Sequence, residues 1–319
     1  MEIFMLKVAL VGVGGISGIH ISAWDSIEDV ELVALCDIRP EQMTQYAGKR
    51  CYTDFKEMLE KETIDILDVC VPTYLHTEYS IMAMEKGIHV ICEKPVSLHK
   101  EDVKKLYDTA AKCQVTFMIA QVVRFWPGYV ELKEIYDSRK YGKLLSGSMR
   151  RLGSMPKWSW DGWMFDEKRS GLVPFDLHIH DLDYIVSTFG KPKAMHPFRV
   201  KRPEQYFLQV IYEFDHFFIN TEAAWYAAPY PFGSSFRFQF EEAVVALENN
   251  KFVIYENNGT IIDNSETQNE SVSIIDLGTL DPFADEIRYF TDCVKAGKTA
   301  DKVKPEELET VLNIVTQFS

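Results

Sequence analysis

The chain has 319 residues, 46% hydrophobic and 26% charged, a globular composition whose length favours two domains over one. Its formal charge of −14 argues against a nucleic acid or an anionic membrane as partner, since both call for a basic surface. The N-terminus lacks a basic region followed by a long apolar core and a cleavage site, and six cysteines lie scattered without a C-x-x-C pair, so a cytoplasmic protein with reduced thiols is expected.

Lys7 to Val11 is an apolar run that ends in Gly12-Val13-Gly14-Gly15-Ile16-Ser17-Gly18 and leads into a helical pattern. Strand, tight turn and helix are its simplest reading. Gly12 and Gly14 stand where a dinucleotide-binding turn needs residues without side chains, the first to turn and the second to admit a pyrophosphate. The helix that begins at Gly15 and Ile16 would aim free N–H groups at that phosphate. Ser17 holds the third fingerprint position and is small enough for close helix–strand packing. A second apolar run, Val30 to Cys36, ends in Asp37, about twenty residues on, where a carboxylate accepts from the adenosine ribose hydroxyls. Asp37 repels a 2′-phosphate and favours NAD. Arg39 can pair with such a phosphate or lie over the adenine, which keeps NADP open. The structural alternative makes Asp37 the cap of a helix opened by Pro40.

Pro40 to Gly48 and Asp54 to Lys61 read as short helices, and Ile64 to Val71 as a third strand broken by Pro72 and Thr73. Glu78 to Lys86 is helical, Ile88 to Cys92 a strand ending in Glu93-Lys94-Pro95, Lys100 to Cys113 an amphipathic helix, and Val115 to Ala120 another strand. This alternation predicts a Rossmann-type parallel sheet with helices on both faces over residues 1–120. Ligands bind outside the carboxyl ends of such strands, so the glycine turn, Asp37, the loop Pro72-Thr73-Tyr74-Leu75-His76 and Glu93-Lys94-Pro95 are expected in one crevice.

Residues 121–319 follow another rhythm. Tyr129 to Tyr136 reads as helix, Leu144 to Leu152 as extended, Met155 to Phe165 as an aromatic loop, and Asp176 to Phe189 as helix. Tyr206 to Phe214, His216 to Tyr226, Phe236 to Phe240, Ala243 to Glu248 and Phe252 to Tyr255 alternate with period two between short turns. An α+β domain with a large, mostly antiparallel open sheet is predicted. Phe283 to Ala296 and Pro305 to Phe318 close the chain as helices, expected to pack back on the first domain.

Two stretches carry chemistry. Lys94 stands at a strand end facing the expected cofactor, where partial burial suits an amine to proton transfer; a loop lysine on the surface is the plain alternative. Asp176 and His180 are four residues apart on one helical face, a carboxylate beside an imidazole, whereas His178 points elsewhere. His178-x-His180 with nearby carboxylates also suits a metal hydrolase, but no second ligand cluster accompanies it, so no metal is assigned. Packing of His180 beneath a helix-starting Asp176 is the structural alternative.

Together, the glycine turn with His20, Asp37, the Pro72-to-His76 loop, Glu93-Lys94-Pro95, Asp176-x-x-x-His180-x-x-Asp183 and the helix from Phe283 resemble the Gfo/Idh/MocA family of NAD(P)-dependent oxidoreductases. The resemblance implies a Rossmann domain followed by an open-sheet domain used for homo-oligomerisation. It implies hydride transfer between nicotinamide and a secondary alcohol or ketone of a sugar, cyclic polyol or related diol. His180 is then the acid/base, Lys94 orients or helps protonate the hydroxyl, and Asp176 positions both. Arg124, Trp126, Trp158, Trp160 and Trp163 are candidates for the substrate wall, and His178 borders it. The family's glycine-rich segment before the aspartate is here Ser170-Gly171-Leu172-Val173-Pro174-Phe175, and His178 replaces a glycine; both departures bear on substrate choice. A nicotinamide- and sugar-binding sensor that does not turn over is the other class open to such a chain.

Overall fold

The computed structural model describes residues 5–249, 251–263 and 281–318. They form two compact units. The first contains β1 (Leu6–Val11), α1 (Ser17–Asp25), β2 (Val30–Cys36), β3 (Arg50–Tyr52), α2 (Phe55–Lys61), β4 (Ile66–Val69), α3 (His76–Met84), β5 (His89–Glu93), α4 (Glu101–Cys113) and β6 (Phe117–Ala120). All six strands are parallel, in the order β3-β2-β1-β4-β5-β6. Helices cover both faces, which is why β1, β2 and β4 are nearly continuous apolar runs.

Register decides where the motifs go. Val11 is level with Cys36 on one side and Val69 on the other, and Val69 with Cys92. The residues that follow these four, Gly12, Asp37, Cys70 and Glu93, therefore share one carboxyl edge, and the strand order reverses there between β1 and β4.

Pro40–Met43 is a single 3-10 turn rather than a helix reaching Gly48, because only Met43 of that stretch is buried and a longer helix would have no apolar stripe. The chain straightens after Gly48 into edge strand β3, three residues too short to read as a period. Two later segments join this unit: Trp158–Gly171, which holds α6 (Glu167–Ser170), and Asp281–Asn313, which holds α8 (Pro282–Lys295) and most of α9 (Pro305–Val315). Asp281 caps α8 by accepting from the N–H groups of Phe283 and Ala284, and Lys295 pairs with Asp29. The unit thus departs from the 1–120 boundary, since packing joins segments that are distant in sequence.

The second unit holds α5 (Tyr129–Ser138), β7 (Leu144–Ser154), α7 (Ile179–Phe189), β8 (Ala194–Arg202), β9 (Gln205–Glu213), β10 (Phe218–Tyr226), β11 (Gly233–Phe240), β12 (Ala243–Glu248), β13 (Lys251–Glu256) and β14 (Ile261–Asp263). Its sheet runs β14-β13-β12-β11-β7-β10-β9-β8, antiparallel except where β7 meets β10. Edge strand β8 escaped the sequence reading because Pro197 interrupts it and almost all of it is exposed. One sheet face packs on α5 and α7 through edge-on rings of Tyr129, Tyr184 and Phe236. The other carries Phe198, Val200, Phe207, Ile211 and Phe218, exposed or half-buried.

Candidate active site

Gly12 adopts φ +92°, and a Cβ there would lie 2.6 Å from the Cys70 carbonyl and the Val71 nitrogen. The close approach of the chain after β4, as well as the turn, demands glycine. Gly14 faces open space: apart from its chain neighbours, no heavy atom among the described residues lies within 4 Å of where a Cβ would stand. The Ser17 hydroxyl donates to the Gly14 carbonyl at 2.8 Å and closes the turn, and α1 begins after Ile16 with no side-chain cap. An open glycine and uncapped first amides fit a pyrophosphate. At Gly15 a Cβ would meet the Trp158 ring at 2.9 Å, so this glycine receives an indole.

Asp37 reaches from the end of β2 to the same turn. One carboxylate oxygen accepts from the Val13 N–H (2.9 Å) and Arg39 Nη2 (3.2 Å), the other from the Arg39 N–H (2.8 Å) and Nε (3.1 Å). It is a side-chain acceptor at the place where a ribose is expected, beside a guanidinium. Pro72 is partly exposed and Thr73 buried at the start of a 3-10 turn. His76, expected against the cofactor, is instead enclosed: its ring nitrogens lie 2.7 Å from the Pro95 carbonyl and 2.8 Å from that of Val71. Burial pushes its pKa down, and the ring braces the Pro72 loop against the Glu93-Lys94-Pro95 turn.

Beneath that turn lies a buried polar network whose connections are not visible in sequence spacing. His20 on α1 bridges Asp68 Oδ2 and Glu93 Oε1, both at 2.9 Å, while the Trp24 indole donates to Asp68 at 2.7 Å. Carboxylates on both ring nitrogens call for an imidazolium. Burial opposes that charge, but the Asp68 carboxylate bound to the ring outweighs it and holds the His20 pKa well above its ordinary value. Glu286 on α8 is fully buried, and desolvation, with Glu93 nearby, raises its pKa well above the ordinary value. His20, Asp68 and Cys70 also lie within metal-ligating distance of one another. Both imidazole nitrogens are engaged, however, and burial keeps the Cys70 thiol protonated, so the cluster reads as a proton network. The second Glu93 oxygen accepts the Lys94 N–H at 3.0 Å. Lys94 is the only residue of 90–97 that is not buried.

In the second unit, Pro174–His178 is a π-turn that runs into α7. Such turns alter the simple four-residue spacing and recur at functional sites. Within 171–186 only Asp176 and His180 escape burial. His178 is enclosed, its Nε2 2.6 Å from the Tyr212 hydroxyl with the two rings parallel. Burial, with Arg151 nearby, lowers its pKa to about 3. The ring is a neutral packing element, not a border to substrate. Arg124 is likewise taken, its guanidinium clamped on Asp183 at 2.7 and 2.8 Å in a buried bidentate pair. Trp126 and Trp163 remain partly exposed.

The family description "Oxidoreductase family, NAD-binding Rossmann fold" matches residues 6–121, and "GFO/IDH/MocA C-terminal domain" matches residues 129–261. D-glucoside 3-dehydrogenase of Escherichia coli is 30% identical over 192 residues, 59% of this chain and 55% of that protein. The chain thus spans about half the length of the curated relatives it matches. The fold is that of myo-inositol 2-dehydrogenase from Lactobacillus plantarum (TM-score 0.79, 21% identity, 98% of this chain and 95% of that one). It is equally that of levoglucosan dehydrogenase solved with NADH and L-sorbose (TM-score 0.83, 18% identity, 97% and 94%). A parallel sheet with an open glycine turn, and a second unit matched over most of its length, make this chain a member of the Gfo/Idh/MocA oxidoreductase family, with an NAD-binding Rossmann fold in its first unit.

Proposed function

We propose that the chain is an NAD(P)-dependent dehydrogenase or reductase acting on a secondary alcohol or ketone of a sugar, cyclic polyol or related diol. Selective exposure carries this reading: Lys94, Asp176 and His180 are left open in stretches that are otherwise sealed. In the second unit a half-buried carboxylate and imidazole suit a proton path to a substrate hydroxyl, and in the first Lys94 offers a half-buried ammonium. His180 takes the proton from that hydroxyl oxygen, and returns it in the reverse direction. Asp176 supports the protonated ring, and Lys94 orients the oxygen through its N–H donors. When bound, the nicotinamide supplies the carbon that accepts or releases the hydride. The open side of Gly14 and the first amides of α1 take the pyrophosphate, and Asp37 takes the ribose hydroxyls, which favours NAD over NADP. Trp126 and Trp163 offer flat faces for a sugar ring. Curated relatives named D-glucoside 3-dehydrogenase and myo-inositol 2-dehydrogenase support the substrate class. The open sheet face carrying Phe198, Val200, Phe207, Ile211 and Phe218 is where copies of the chain pair.

The test is titration of purified protein with NADH and with NADPH, followed by energy transfer from tryptophan to nicotinamide and repeated with Asp37→Ala. A panel of sugars and polyols is then screened for NAD+ reduction. NADH binding that weakens about tenfold in the variant, with turnover of a polyol or sugar, is expected. Failure of both cofactors to bind, or binding without turnover across the panel, overturns the reading.

A further inference from the structure

The segment Trp158–Gly171 lies on the cofactor edge of the first unit at three points. The Trp158 indole rests on Gly15, where a Cβ would be 2.9 Å from its ring. Trp160 presents its ring to the Arg39 guanidinium, 5.3 Å from the ring centroid. Arg169 lies over the Tyr74 ring at 5.1 Å, and its Nη1 is tied back to Asp161 at 3.0 Å. Yet the two indoles stay uncovered, Trp158 71% and Trp160 39% exposed. Large flat faces held open beside a nucleotide turn are available for a ligand, whereas core tryptophans such as Trp24 are enclosed.

Asp37 adds a constraint. A carboxylate has about four acceptor sites, and here two are taken by backbone N–H groups and two by the Arg39 guanidinium. Ribose hydroxyls and Arg39 therefore compete for the same oxygens. A guanidinium displaced from Asp37 has the Trp160 face to remain on, and a cation over an indole is held without a carboxylate. Without that face, Arg39 is free to turn toward a phosphate, which it binds bidentately and more strongly than a lone carboxylate.

We propose that this strap is part of the cofactor site: Trp160 determines cofactor choice by holding on its face the Arg39 guanidinium that the ribose displaces from Asp37, away from a 2′-phosphate, while Trp158 covers the pyrophosphate end of the glycine turn. The proposal rests on the nicotinamide-dependent reading above and extends it to residues outside the Rossmann sequence. It requires no substrate, because selection is exerted on the cofactor alone.

The experiment is calorimetric titration of the full chain with NADH, NADPH and ADP-ribose, for wild type, Trp160→Ala, Trp160→Phe and Trp158→Ala. Wild type is expected to prefer NADH. Trp160→Ala lowers the NADPH-to-NADH ratio of dissociation constants by about fivefold, and Trp160→Phe, which keeps an aromatic face, holds it within about twofold of wild type. Trp158→Ala weakens NADH, NADPH and ADP-ribose alike, by about fivefold, and leaves the ratio unchanged. A ratio in Trp160→Ala within twofold of wild type, or unaltered binding in Trp158→Ala, overturns the strap while leaving the dehydrogenase reading intact. Wild type that binds neither dinucleotide overturns both. Both side chains are exposed, so the substitutions spare the core, and thermal melting of each variant verifies this.

Discussion

At the scale of single residues, exposure separates chemistry from packing more sharply than residue type does. Helical spacing puts Asp176 and His180 on one face, and between 171 and 186 these two alone are not buried. His178 lies two positions from each and is identical in chemistry to His180, yet its ring is sealed against Tyr212. Lys94→Ala and His180→Ala are each expected to lower turnover by about 10²–10⁴ while NADH affinity stays within about threefold, as steady-state rates and titration of the same preparations will show. Equal losses of binding and turnover would place these residues in cofactor binding instead. His178 leads to a different expectation. Its folded pKa of about 3 lies below the ordinary 6.5, so between these values the unfolded chain takes up a proton that the folded one refuses. Stability falls as the pH drops from 6.5 towards 3, with an upper limit of about 1.4 kcal/mol per pH unit from this group. Urea midpoints at pH 7.5 and 4.5 should differ less in His178→Asn than in wild type, since the other histidines lowered by burial, His76 and His89, remain in both.

At the scale of elements, the glycine turn shows that one motif contains two different requirements. Gly12 has a positive φ and meets the backbone of Cys70 and Val71, whereas Gly14 meets nothing. Gly12→Ala should therefore destabilise the fold by more than about 2 kcal/mol. Gly14→Ala should leave the melting temperature nearly unchanged and weaken NADH binding. Thermal melts paired with titrations distinguish the two, and the reverse pattern would refute the assignment of the open side to the pyrophosphate. Strands β1, β2, β4 and β5 were readable because each is an apolar run of several residues closed by a polar or turn residue. β3 and β14 were not, because three residues carry no period, and the π-turn before α7 was not, because its extra residue leaves the apolar pattern unaltered.

At the scale of the whole molecule, the second sheet covers one face with helices and leaves the other open. That open face carries Phe198, Val200, Phe207, Ile211 and Phe218 on β8, β9 and β10, with Val200 paired to Phe207 and the others set among Gln209, Glu213 and Asn220. Ile211→Asp is expected to convert a dimer or larger assembly into monomer in sedimentation velocity, with its circular dichroism unchanged. A wild type that sediments as a monomer would remove this face from consideration as a pairing surface. Among the described residues no helix is long and apolar enough to cross a membrane.

Local pattern in the sequence determined the two architectures, the glycine turn and Asp37 at the end of β2, because each depends on neighbours within a few residues or on an apolar period; Lys94, Asp176 and His180 stood out through the family resemblance. The tertiary structure alone decided which histidines are sealed, that Arg124 is consumed by Asp183, and that His20 is held between Asp68 and Glu93. It alone returned Trp158 and Trp160 to Gly15 and Arg39. These contacts join residues tens of positions apart, and burial, on which their protonation and availability depend, belongs to packing and leaves no mark in the local order of residues.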